Sequence, residues 1–190
     1  DYFMQWGTPE DIEEYNYWSE TFSRLTSVSE PTKTLSGASV IPMAGLGKRF
    51  VNEGYTDSKP LIPVSGIPMV LQAAKDLPDA AMRVFVVRAD MPDYAKVNSV
   101  IKEFFPNSLI RTIDHVTEGQ ACTAMLGVDT LRNSDSEAIS PITIGACDSG
   151  ALYSEEKFQN LLNDDDIDVI VWGIRGYTNA IRNPEMFGWI

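Results

Sequence analysis

The sequence predicts an α/β domain in three layers, a mostly parallel (mixed) sheet with helices on both faces. Three observations carry this. From Ala38 onward, short apolar runs of strand length recur along the chain, and stretches of helical length alternate with them. Such alternation specifies parallel pairing, because parallel neighbours need a crossover and the crossover is usually a helix. A glycine-rich turn follows the first strand directly, which is where ligands bind in sheets of this kind, beyond the strands' carboxyl ends.

Residues 1–28 stand apart from this pattern. Thr8 reads as a helix cap, Pro9 as the first helical position, and Asp11 as the residue that closes a capping box. Ile12, Tyr15, Trp18, Phe22 and Leu25 then recur every three or four residues, one apolar helix face. Each large side chain fully buried there contributes ~1.5–3 kcal/mol, so the face is expected to pack on the sheet domain of its own or a neighbouring chain. Residues 29–37 are polar and contain Pro31, the composition of a linker. Strands are expected at 39–43, 83–87, 109–113, 141–146 and 167–174, and helices at 68–77, 92–105, 120–131 and 155–162. Trp172 is expected to pack in the core from the last strand.

Length and composition narrow the classes. A chain of 190 residues, 44% hydrophobic and 22% charged, suits one globular domain with a small appendage. The net charge of −12 argues against nucleic acid as a partner. A small anion is not excluded, because a few local cations and a metal can dominate one cleft. Cys122 and Cys147 lack zinc-ligand spacing, and buried free thiols in a reducing, cytoplasmic setting are expected. No apolar run reaches membrane-spanning length, and the first residues do not read as a signal peptide.

The first strand runs into Ala44-Gly45-Leu46-Gly47-Lys48-Arg49-Phe50. Glycines after a strand let backbone N–H groups approach an anion, and Arg49 offers a planar fork for phosphate oxygens. Taken alone, the glycines favour a tight turn with solvated cations. It is no dinucleotide fingerprint, since Phe50 stands where the third glycine belongs, and no Walker loop, since no Gly-Lys-Ser/Thr closes it. A nicotinamide-dependent oxidoreductase is disfavoured on the first ground. Lys59-Pro60-Leu61 follows, and then Val64, Gly66, Pro68 and Met69.

These three elements in order resemble the signature of the sugar-nucleotidyltransferase superfamily. That group includes the glucose-1-phosphate thymidylyltransferases and the capsule-synthesis nucleotidyltransferases. The resemblance implies a Rossmann-like fold of the nucleotide-diphospho-sugar transferase type. It implies Mg2+-dependent transfer of a nucleotidyl group from a nucleoside triphosphate to a sugar 1-phosphate or similar acceptor, with release of pyrophosphate. Polysaccharide or surface-sugar precursors would be the product class. By this resemblance Ala44, Gly45, Leu46, Gly47, Lys48 and Arg49 hold the triphosphate, and Lys59 reaches a phosphate. Gly119 and Gln120 match the segment that closes over the nucleobase, although an ordinary helix start fits them as well. Asp148, at the end of a strand, matches the metal-binding aspartate, and a turn cap is its other reading. Asn183, Glu185 and Gly188 match the segment that lines the acceptor pocket, with Tyr177 and Trp172 as a further aromatic wall. His115 is read as structural and the acidic run 164–166 as a solvated loop. A homo-oligomer is compatible with all of this.

The family continues beyond such an acceptor segment to a second metal aspartate, in a Trp-x-Asp-x-Gly-Thr context. The counterpart here is Phe3-Met4-Gln5-Trp6-Gly7-Thr8, ahead of the domain, with Gln5 in the aspartate's place. The chain is therefore expected to be a piece of something larger or to carry the tail of an upstream copy. Residues 1–28 are expected to stabilise rather than catalyse. A nucleotide-sensing or scaffold domain without turnover is the competing class.

Overall fold

The computed structural model describes residues 8–27, 37–134, 140–186 and 188. Gln5 and its neighbours, linker residues 29–36, and Phe187 and Trp189 lie outside the described residues. The chain divides into two compact units. One ends at Ala151, and the other joins the first helix to the chain from Leu152 on.

The first helix is α1 (Pro9–Ser27). The sheet unit then runs β1 (Ala38–Pro42), α2 (Lys48–Asn52), a 3-10 turn (Lys59–Leu61), β2 (Pro63–Val64), β3 (Ile67–Pro68) and α3 (Met69–Asp76). It continues with β4 (Met82–Arg88), α4 (Tyr94–Phe104), β5 (Leu109–Ile113), α5 (Gln120–Arg132) and β6 (Ile142–Ile144). The main sheet has the order β5-β4-β1-β6 and is parallel throughout, so Val40 pairs with both Val84 and Ile144. The only antiparallel pair among the described residues is the separate β2–β3 hairpin.

Strand periodicity sorts the core into two layers. Ile41, Met43, Phe85 and Val87 pack with Val70, Leu71 and Ala74 of α3 and Val97 and Ile101 of α4. Ala38, Val40, Val84 and Val86 pack with Ala124, Val128 and Leu131 of α5. Helices thus cover both faces, and the strands between them read as nearly unbroken apolar runs. Gly127 brings α5 close to the sheet, since a Cβ there would collide with Val40 and lie 3.1 Å from Val86. The expected three-layer α/β architecture is the observed one. All four helices expected between 68 and 162 are present, as are four of the five strands, with ends shifted by one or two residues. Helix α2 and the hairpin are too short for periodicity to reveal.

The other unit contains α1, α6 (Glu155–Leu162), α7 (Thr178–Arg182) and a 3-10 turn (Pro184–Met186). The capping box forms as read: Thr8 N donates to Asp11 at 3.1 Å and Asp11 N to Thr8 Oγ1 at 3.2 Å. Within this unit the more buried residues lie on an adjacent face. Asp11, Glu14, Tyr17 and Thr21 are half-buried, while Ile12, Tyr15, Trp18 and Phe22 are 38–58% exposed. Specific partners set this rotation: the Tyr17 ring lies 5.8 Å from that of Tyr177, and Glu14 pairs with Arg182.

The strand expected at 167–174 is absent. Val169, Val171 and Ile174 are more than 60% exposed, and the segment joins no ladder. A period of two without a neighbouring strand leaves backbone groups unpaired, and none of this unit's described residues forms a strand. Trp172 is 43% exposed, contrary to a core position, and rests on Tyr153 and Phe158 with centroids 5.2 and 5.3 Å away. The acidic run 164–166 is exposed, as expected. No described helix is long and apolar enough to cross a membrane.

Candidate functional site

Strand order locates the site before any side chain is considered. From β1 the chain moves outward to β4 and β5, then returns to the opposite side of β1 as β6. The connections therefore diverge between the carboxyl ends of β1 and β6, the switch point at which open parallel sheets bind ligands.

The β1 side supplies a loop. Met43 N makes the last ladder bond, to Val86 O at 3.0 Å, and Ala44 is still buried. Gly45 and Leu46 then emerge into solvent, and Gly47 turns the chain at φ +63°, where a side chain would be strained. The Gly47 carbonyl accepts from Phe50 N at 3.0 Å and so starts α2. Among the described residues, the amides of Ala44, Gly45, Leu46, Gly47 and Lys48 donate no hydrogen bond. Such a run of unused donors is the raw material of an anion nest. Lys48 and Arg49 follow on α2, both exposed and without an ion pair among the described residues.

A lysine and a carboxylate meet beside this loop. A Cβ at Gly47 would lie 3.4 Å from Lys59 Cβ, so the loop rests on the start of the 3-10 turn. Buried Pro60 and Leu61 anchor that turn, and Ser58 N donates to Asp93 at 3.2 Å. Lys59 Nζ stands 5.8 Å from the centre of the Phe50 ring and pairs with the carboxylate of Asp148. Asp148 arrives from β6, whose connection is pinned where Gly145 packs on Leu77. Cys147 beside it is buried, and burial, reinforced by the Asp148 charge, pushes its thiol up to about 11. Cys122 is exposed, against the expectation of two buried thiols, because the first turn of α5 faces solvent there.

The remaining residues read from the sequence fall as follows. Gly119 and Gln120 are exposed at the start of α5, on the same sheet edge after β5. Thr117 and Thr123 both donate to the Gly119 carbonyl, at 3.0 and 3.2 Å, which fixes that turn. His115 is not packed as a structural residue. It is solvent-exposed, bonded to Asp114 at 2.7 Å, and borders an open cleft of about 440 Å3 with Glu118 and Cys122. Asn183, Glu185 and Gly188 belong to the other unit, where Asn183 bonds to Asn179 at 2.7 Å and Glu185 and Gly188 are exposed.

One notable residue at this edge escaped the sequence reading. Arg88 is 3% exposed, and its guanidinium bonds to the Ala44 carbonyl and to Asp90, whose carboxyl it holds below the usual range. A cation closing an apolar strand at the carboxyl edge, Val86-Val87-Arg88, is the signal that marks it.

Metal fit follows from the donor set. No three His, Cys, Asp or Glu side chains cluster among the described residues, so these residues offer no complete cage. Mg2+ commonly takes one or two carboxylates and completes its shell with water and phosphate oxygens. Asp148 fits that role for a metal that arrives with phosphates.

Fold and site together define a three-layer α/β unit with a loop of unused amides, a lysine and a carboxylate at its switch point. Among solved structures, the chain is similar to a nucleoside-diphosphate-sugar pyrophosphorylase from Vibrio cholerae RC9. The two are 23% identical, with a TM-score of 0.49, over 64% of this chain and 52% of that one. It is also similar to the inositol-1-phosphate CTP transferase from T. maritima, at 16% identity and a TM-score of 0.49, over 62% of this chain and 46% of that one. The chain thus spans about half the length of these structures. No family model and no curated protein matches it.

Proposed function

We propose that this chain is the nucleotide-binding part of a nucleotidyltransferase. It joins a nucleoside triphosphate to a sugar 1-phosphate or similar phosphorylated acceptor and releases pyrophosphate. The observation that carries this reading is the meeting of Lys59 and Asp148 beside the unused amides of residues 44–48. The sequence signature shared with the sugar-nucleotidyltransferases supports it.

In this reading the loop amides and Arg49 hold the triphosphate, while Gly119 and Gln120 face the base. Lys59 would exchange Asp148 for a phosphate oxygen, and Asp148 would hold the metal. Mg2+ would neutralise charge on the phosphates. Asn183, Glu185 and Gly188 are the acceptor-binding residues of this proposal, and the acceptor phosphate attacks the α-phosphorus in line and displaces pyrophosphate. Positioning and charge neutralisation are what such transfers require of a protein. A soluble setting, a cytoplasmic location and self-association belong to the same proposal.

The test is pyrophosphate release from a panel of nucleoside triphosphates with Mg2+ and sugar 1-phosphates. Nucleotide binding without release would favour a sensing or scaffold domain. Arg49→Ala and Lys59→Ala are each expected to weaken triphosphate binding by about 10- to 100-fold, since hydrogen bonds to charged groups contribute ~1.5–3 kcal/mol. Nucleoside binding should change little. Calorimetric titration of both ligands checks this, and parent-like triphosphate binding by both variants would refute the loop assignment.

A further inference from the structure

Arg88 closes β4, the strand paired with β1, and its side chain is 4% exposed. A buried guanidinium is tolerated only where its donors are used. Nε donates to Asp90 at 2.6 Å, and Nη1 donates to the Ala44 carbonyl at 2.9 Å. Asp90 is 68% exposed and already hydrated, so that bond steadies the arginine more than it solvates the carboxylate. The bond to Ala44 reaches the head of the amide run.

A trans peptide is planar, so the carbonyl of Ala44 and the N–H of Gly45 point in opposite directions. Holding one fixes the other. Gly45 has no Cβ, and the space a side chain would take there is open, so the residue itself does not oppose that peptide turning over. Turned over, it would present a carbonyl oxygen where the loop is read to meet phosphate.

We propose that Arg88 is a positioning residue for the phosphate chain: it holds the Ala44 carbonyl inward and thereby keeps the Gly45 N–H directed outward. This rests on the nucleotidyltransferase reading, and it adds a residue outside the signature.

The experiment titrates Mg2+-tripolyphosphate, a probe that needs no choice of base, into the full chain and into Arg88→Met, Arg88→Lys and Asp90→Asn. Arg88→Met is expected to bind about 10-fold more weakly or worse, with Arg88→Lys recovering part of the loss. Asp90→Asn, at an exposed position, should keep the parent melting temperature and bind a few-fold more weakly. Amide exchange supplies a second readout: tripolyphosphate should protect Gly45 in the parent and not in Arg88→Met. A merely structural arginine would lower the melting temperature and leave affinity and Gly45 protection unchanged in the folded variant. That result overturns the proposal, as does parent-like affinity in Asp90→Asn should Arg88→Met not fold. A parent chain that fails to bind tripolyphosphate would overturn the functional reading itself, and this inference with it.

Discussion

Asp148→Asn is expected to lower turnover by about 10²–10³-fold and to abolish its dependence on Mg2+, the scale seen when one charge-stabilising group is lost from a transition state. Asparagine keeps the shape and one oxygen but removes the charge that a metal carried on phosphates would seek. The fold should survive. The Lys59–Asp148 pair is 25% and 37% exposed on its two sides, so its stability contribution is that of a surface pair, under about 1 kcal/mol. Pyrophosphate release against Mg2+ concentration, beside a thermal melt, separates the two effects. Unchanged Mg2+ dependence in a folded variant would remove Asp148 from the site.

The largest stability loss is expected from Gly37→Ala. Gly37 has φ +55°, and a Cβ there would fall well inside contact distance of the Pro141 carbonyl oxygen. Neither side can yield easily. That carbonyl accepts the Ala38 amide at 2.9 Å, and the Gly37 carbonyl accepts the Ala81 amide at 3.0 Å. The left-handed conformation costs about 1–2 kcal/mol for a side-chain-bearing residue, and overpacking a further 1–3. A combined loss of about 3 kcal/mol or more is a large part of the ~5–15 kcal/mol that holds a domain. Urea denaturation measures it, and a parent-like midpoint would show that the entry to β1 and β6 can shift.

The sheet was legible because burial on both faces writes itself into the strands: Val84 to Val87 admit no other reading. Helix α5 was legible for the same reason, with Thr123, Ala124, Gly127, Val128 and Leu131 on one buried face. The 167–174 segment misled because alternation records a strand's faces and says nothing of its neighbours. α1 was legible in part. Its apolar stripe was plain in the sequence, but not the polar partners on the adjacent stripe, where Glu14 and Tyr17 meet Arg182 and Tyr177. In the candidate site, the glycine loop, Lys59 and Asp148 were each visible, but not their meeting. Lys59 and Asp148 are 89 positions apart, and only the return of the chain to the far side of β1 joins them. Arg88 stayed hidden because its purpose is a backbone carbonyl, which has no letter in the sequence.

The strands that carry the site are unequally fastened. β1 is hydrogen-bonded on both sides, along Ala38–Pro42 to β4 and along Ala38–Val40 to β6. β6 is an edge strand of three residues, with Ile144 half in water. Local opening takes least free energy where burial and ladder bonds are fewest, so β6 should open before β1 does. The carboxylate of Asp148 thus rides on the soft margin of the sheet, and the amides of residues 44–48 on its stiff centre. A bound molecule that bridges the two would act as a staple. Its imprint on hydrogen exchange should be slowed opening at 142–148, with little change along β1.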